Sequence, residues 1–122
     1  MYNSFEDLEV WKRASDLAVR IYKILKDCKD YGLKDQMTRA AVSIASNIAE
    51  GAERDSSAEF IRFLHIAKGS AAELRTQVYI ACRIEFFSQE LGDELITELT
   101  TTSKQLHSLI KHLKTKNLKP NT

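Results

Sequence analysis

Apolar residues recur at alternating spacings of four and three along the second half of the chain. Phe60, Leu64, Ala67, Ala71, Leu74, Val78 and Ala81 form one series, and Leu95, Leu99, Thr102, Leu106, Leu109 and Leu113 a second. This is the heptad seam of helices packed nearly antiparallel, crossing at about 20°. The first half is helical in period too. Its joints are marked by Asp30-Tyr31-Gly32, by Gly51 and by the capping-box pattern Ser56-Ser57-Ala58-Glu59, and Ser88 can cap a last helix. The pattern predicts helices over about 8–28, 33–50, 57–84 and 89–116, with a polar tail after 116. Gly51 is expected to end the second helix in a left-handed cap. The joint at Ile84-Glu85-Phe86-Phe87 has no Gly or Pro to fix it. Short joints make consecutive helices antiparallel neighbours, so the expected fold is all-α: one up-down-up-down four-helix bundle spanning residues 1–122.

Helix 1 carries more apolar surface than a bundle helix needs. One stripe is Leu8, Trp11, Ser15, Ala18, Tyr22 and Leu25; another is Val10, Ala14, Leu17, Ile21, Ile24 and Cys28. Together they cover roughly 200° of the helix, about twice the arc that one bundle core buries. Helix 2 adds the small residues Ala41, Ala45 and Ala49, which permit close helix approach. A monomer avoids exposing so large an apolar patch, so a homo-oligomer is expected. Its interface is assigned to Val10, Ala14, Leu17, Ile21, Ile24, Ala41, Ala45 and Ala49.

Charge changes little in this picture. Eighteen basic residues face seventeen acidic ones, a net charge of +1. Nothing global draws the chain to nucleic acid or to an anionic membrane. Lys104, Lys111, Lys114, Lys116 and Lys119 crowd the C-terminal end without an acid, which suits a helix C-terminus by its dipole. The topology sets them near Glu6, Asp7, Glu9, Glu50, Glu53 and Asp55, while Lys23, Lys26 and Lys29 should meet Glu90, Asp93 and Glu94 at the other pole. If nucleic acid is bound, Arg13, Arg20, Lys23, Lys111 and Lys114 are the cations to carry it.

The chemistry of a catalyst is missing from the pattern. Di-iron bundles need Glu-x-x-His on two helices, and this chain has none. His65, His107 and His112 have no ligand spacing between them and read as surface histidines. No phosphate loop or nucleophile elbow occurs. Cys28 and Cys82 sit among apolar neighbours without a Cys-x-x-Cys, as small core residues of a reduced compartment. The N-terminus lacks a signal-peptide pattern and no apolar run is long enough to span a bilayer. The expectations are no catalytic residue, metal, cofactor, small-molecule substrate or membrane, and a cytoplasmic location. Arg39, Ser43, Ser46, Asn47 and Glu50 form a narrow polar face on helix 2, where Asn47 can fix helix register.

One stretch carries a specific resemblance. Ser43-Ile-Ala-Ser-Asn-Ile-Ala-Glu-Gly51, within the longer block Tyr31–Gly51, resembles the signature of the bacterial four-helix bundle family associated with 23S rRNA intervening sequences, also labelled the S23 ribosomal protein family. Glu59-Phe-Ile-Arg-Phe-Leu-His-Ile-Ala-Lys-Gly-Ser70, Glu73-Leu-Arg-Thr-Gln77 and Phe5-Glu-Asp-Leu-Glu-Val-Trp11 resemble its other blocks. Ala45 stands where the family usually has Pro, which leaves helix 2 straighter, and Phe86-Phe87 replaces a common Gly-Tyr. The resemblance implies a link to RNA without naming a process. It extends to the accessory variability proteins of diversity-generating retroelements, which are basic pentamers that bind nucleic acid. From that resemblance alone comes the expectation of a pentamer, and of nucleic acid as an alternative partner.

Overall fold

The computed structural model describes residues 4–118, with side chains to Lys116. A single 3-10 turn, Phe5–Asp7, leads into α1 (Glu9–Ile24), α2 (Tyr31–Ala52), α3 (Ser57–Arg83) and α4 (Gln89–Leu118). No strand occurs among the described residues. The polar tail expected beyond α4, with Lys119 and Pro120, lies outside the described residues.

Cross-helix contacts fix the topology. Ser43 of α2 meets Ser70 of α3, and eight residues further on Gly51 lies against Phe63, seven residues back. Arg13 and Arg20 ascend α1 while their partners Glu98 and Glu94 descend α4. The helices therefore alternate up and down, as the heptads predict. The α3 seam is buried at every predicted position, and on α4 only Leu109 is half-exposed, with Ile110 buried beside it. Thr102 is fully buried on that seam, and its hydroxyl donates to the Glu98 carbonyl at 2.9 Å. The backbone carbonyl satisfies the hydroxyl, so a polar residue sits in the core without an orphaned group.

Three boundaries differ from the expectation. Helix 1 ends at Ile24 rather than near 28. After Leu25 the bonds tighten to three-residue turns, the Lys26 N–H to the Lys23 carbonyl at 3.4 Å and the Cys28 N–H to the Leu25 carbonyl at 3.0 Å, and the Asp30 carboxylate then accepts the Leu33 N–H at 3.1 Å. An N-cap must leave helical geometry, and Asp30 does so at ψ 86, so the chain breaks before it and α2 starts at Tyr31. Leu25 and Cys28 still reach the core from the turn. Gly51 does not cap α2; it lies inside the helix with ordinary φ. A Cβ there would stand 2.6 Å from the Phe63 Cβ, so glycine serves close approach of α2 to α3. The left-handed residue is instead Glu85, at φ 63. The Phe86 N–H bonds to the Ala81 carbonyl at 2.8 Å across it, a Schellman-type close to α3 built without glycine.

The expected caps hold with one change. Ser56 and Ser88 accept the Glu59 and Leu91 N–H groups, each at 3.1 Å. The Glu59 carboxylate accepts from Arg62 at 3.1 Å, so only the serine half of the capping box is seen. Cys28 is buried and Cys82 half-buried, neither in a disulfide. Cys82 packs against α4 where a Cβ on Gly92 would meet its Sγ at 2.2 Å.

Candidate functional site

The interior of a single chain claims the stripe assigned to assembly. Val10, Ala14, Leu17 and Ile21 are 5, 0, 3 and 0% exposed, and Ala41 is fully buried. They point into the bundle against α2 and α4 and cannot also face a second copy. Those five are core residues of the single chain and are lost to any interface: periodicity gives two stripes, but only the packing of α1 tells which is inner. Ile24, Ala45 and Ala49 are half-buried at the edge of the core.

The outer stripe builds a groove with α2. Phe5, Trp11, Ser15 and Ala18 line one side, and Val42, Ala45, Ser46 and Ala49 the other. Phe5 packs edge-on against Trp11, with ring centroids 5.2 Å apart. Small side chains form the floor, and Val42 stands 40% exposed on the rim. Tyr22 follows Trp11 by eleven residues and Tyr31 precedes Val42 by eleven, three helical turns in each case, so the tyrosines continue this face to its loop end. They are 53 and 71% exposed. A sequence signal for this face existed in the Trp11–Tyr22 stripe, but a buried stripe looks the same on paper.

The basic residues singled out in the sequence do not form one patch. Arg13 donates to Glu98 at 2.9 Å and Arg20 to Glu94 at 2.5 Å, bridging α1 to α4. The two arginines share a groove with Glu9, Lys12, Asp16 and Glu98, so positive and negative groups alternate along it. Lys23 is exposed near the end of α1, and Lys111 and Lys114 are exposed at the opposite pole, on the last turns of α4. Among the described residues, the lysines expected to compensate acids at the poles form no ion pair. Arginines along the α1–α4 seam and pairs three or four residues apart in sequence hold the observed bridges.

The narrow polar face of α2 divides in two. Ser46 lines the groove with α1. Asn47 turns toward α3 and donates to the Ser43 carbonyl at 2.8 Å and to the Ser43 hydroxyl at 2.9 Å. The Ser43 and Ser70 hydroxyls are 2.8 Å apart. This chain of hydrogen bonds ties α2 to α3 and acts on register, the structural role expected of Asn47.

Residues suited to metal or nucleophilic chemistry are not gathered. His65, His107 and His112 are all exposed. No group of three or more His, Cys, Asp or Glu among the described residues could hold a metal ion. No helix among them is long and apolar enough to cross a membrane.

Comparison with known proteins fits this architecture. The structure is similar to that of a protein of unknown function from the S23 ribosomal protein family of Bacteroides thetaiotaomicron VPI-5482. The two share 32% identity with a TM-score of 0.79, over 84% of this chain and 98% of the other. No curated protein matches the chain. The sequence profile of the 23S rRNA-intervening sequence protein matches residues 6–108, nearly the whole bundle. With its signature segment on α2 and its opening block wrapped around Trp11, the chain belongs to the 23S rRNA-intervening sequence protein family.

Proposed function

We propose that this protein is a non-enzymatic, cytoplasmic scaffold that acts as a homo-oligomer, assembled through the outer face of α1 and α2. One observation carries the reading. The core of a single bundle is complete, yet Val19 and Val42 remain 53 and 40% exposed, and a small-residue groove lies open between half-buried Trp11 and Val42. Their burial against a second copy removes apolar area from water, at about 25 cal/mol per Å². A ring requires that this surface meet a different one on the next subunit. The number five is the one the family resemblance implies. Light scattering after size exclusion is expected to give a mass near five chains. Val42→Glu together with Ala49→Glu should yield folded single chains. A wild-type monomer at micromolar concentration refutes assembly; a stable dimer or trimer refutes only the number.

A second reading is that the protein is a nucleic-acid-binding accessory. It is favoured by the exposed Lys23, Lys111 and Lys114, which have no ion pair among the described residues, and not by Arg13 and Arg20, which are engaged. With one net positive charge, binding is expected to be weak and salt-sensitive.

A further inference from the structure

We propose that the loop end of the α1–α2 hairpin is a binding site for single-stranded nucleic acid, with Tyr22 and Tyr31 as stacking platforms. The inference rests on the second reading above and gives it a location the basic residues alone did not. Tyr22 and Tyr31 lie on one outer face and are each more than half exposed. Neither side chain has a hydrogen bond or an aromatic ring contact among the described residues. Lys23, Lys26 and Lys29 are exposed around them, and Lys34 is half-buried with its Nζ donating to the Lys26 carbonyl at 3.3 Å. None of the four has an ion pair among the described residues. The neighbouring acids are largely occupied: Asp30 caps α2 and Asp35 holds Arg39 at 2.9 Å. Asp27 faces solvent without such a partner, as does Glu90 at the same pole on the first turn of α4, while Glu94 holds Arg20 and Asp93 accepts from Gln89.

Exposed aromatic faces flanked by unpaired cations suit a flexible polyanion whose bases are unstacked. A duplex hides its base faces and would leave the tyrosines unused. A lipid surface shares the cations but needs a broad apolar face to insert; at the loop end Leu25 and Cys28 are turned into the core, and the exposed Val19 and Val42 lie further along the helices.

The test is fluorescence anisotropy with a labelled oligouridylate of about twelve nucleotides, alongside co-sedimentation with phosphatidylserine vesicles. The wild type should bind the oligonucleotide at about 50 mM salt and lose affinity at about 200 mM. Tyr22→Ala with Tyr31→Ala should weaken binding about tenfold or more. Tyr22→Phe with Tyr31→Phe should retain it, since the ring and not the hydroxyl stacks. Lys111→Glu with Lys114→Glu, at the far pole, should leave it within about twofold of wild type. Circular dichroism checks that the variants keep their helices. If the wild type binds but the alanine pair binds equally well, this site is wrong and the nucleic-acid reading stands. If the wild type does not bind, both fall. Vesicle binding lost in the alanine pair, without oligonucleotide binding, assigns the surface to lipid and overturns the proposal.

Discussion

The α2–α3 seam and the α1–α4 seam are built on opposite principles. Between α2 and α3, Gly51 lets the backbones close to within a Cβ of Phe63, and the Ser43 and Ser70 hydroxyls meet at 2.8 Å. Between α1 and α4, two arginine–carboxylate pairs bridge open grooves, and the Arg13 Nε and Gln105 Oε1 atoms are buried without a partner. The first seam derives its strength from shape and tolerates no added volume. The second joins a shared apolar core that part-exposed ion pairs border. The signature block lies on the first, and of the charged residues first considered for nucleic acid only Arg13 and Arg20 lie on the second. A sequence block this specific therefore marks close packing here as much as chemistry.

The largest effect should come from Ile21→Ala. If α1 rested only on its ion pairs, truncating Ile21 would matter little. Because Ile21 is fully buried, the expected loss is about 2–5 kcal/mol in chemical denaturation. A loss under about 1 kcal/mol would show that α1 is dispensable to the core.

Two glycine substitutions sharpen the contrast. At Gly51, an added methyl meets the rigid Cβ of Phe63, and overpacking costs about 1–3 kcal/mol against about 1 kcal/mol returned by helix propensity. A net loss of about 2 kcal/mol is expected near the upper end of that cost. At Gly69 nothing lies within 4 Å of the new Cβ, so Gly69→Ala should stabilise by up to about 1 kcal/mol. Equal shifts at the two sites, read from urea midpoints, would remove the argument for close approach.

The smallest effect belongs to Glu98→Gln. The pair with Arg13 is one-third exposed or more on each side, and such pairs contribute under about 1 kcal/mol. The loss should shrink further in about 1 M salt, where exposed charges are screened. A salt-independent loss above about 2 kcal/mol would place the seam among the buried ion pairs instead.

The heptads on α3 and α4 made the fold legible because an inward-facing seam of period 3.5 has few other uses in a chain with four Gly and one Pro. The serine caps at Ser56 and Ser88 were legible for the same local reason: a short hydroxyl before an apolar run satisfies a free N–H. The sequence by itself determined helix number, order and the apolar faces available. Tertiary structure decided which stripe of α1 is inner, because both stripes are apolar enough to pack and the choice depends on what α2 and α4 offer them. It decided that Gly51 serves approach rather than a cap, since a glycine's absent side chain reveals nothing until the neighbour is in place. It also placed the left-handed turn at Glu85, where the burial of Phe87 and the bonds to the Ala81 carbonyl override a backbone preference of about 1–2 kcal/mol.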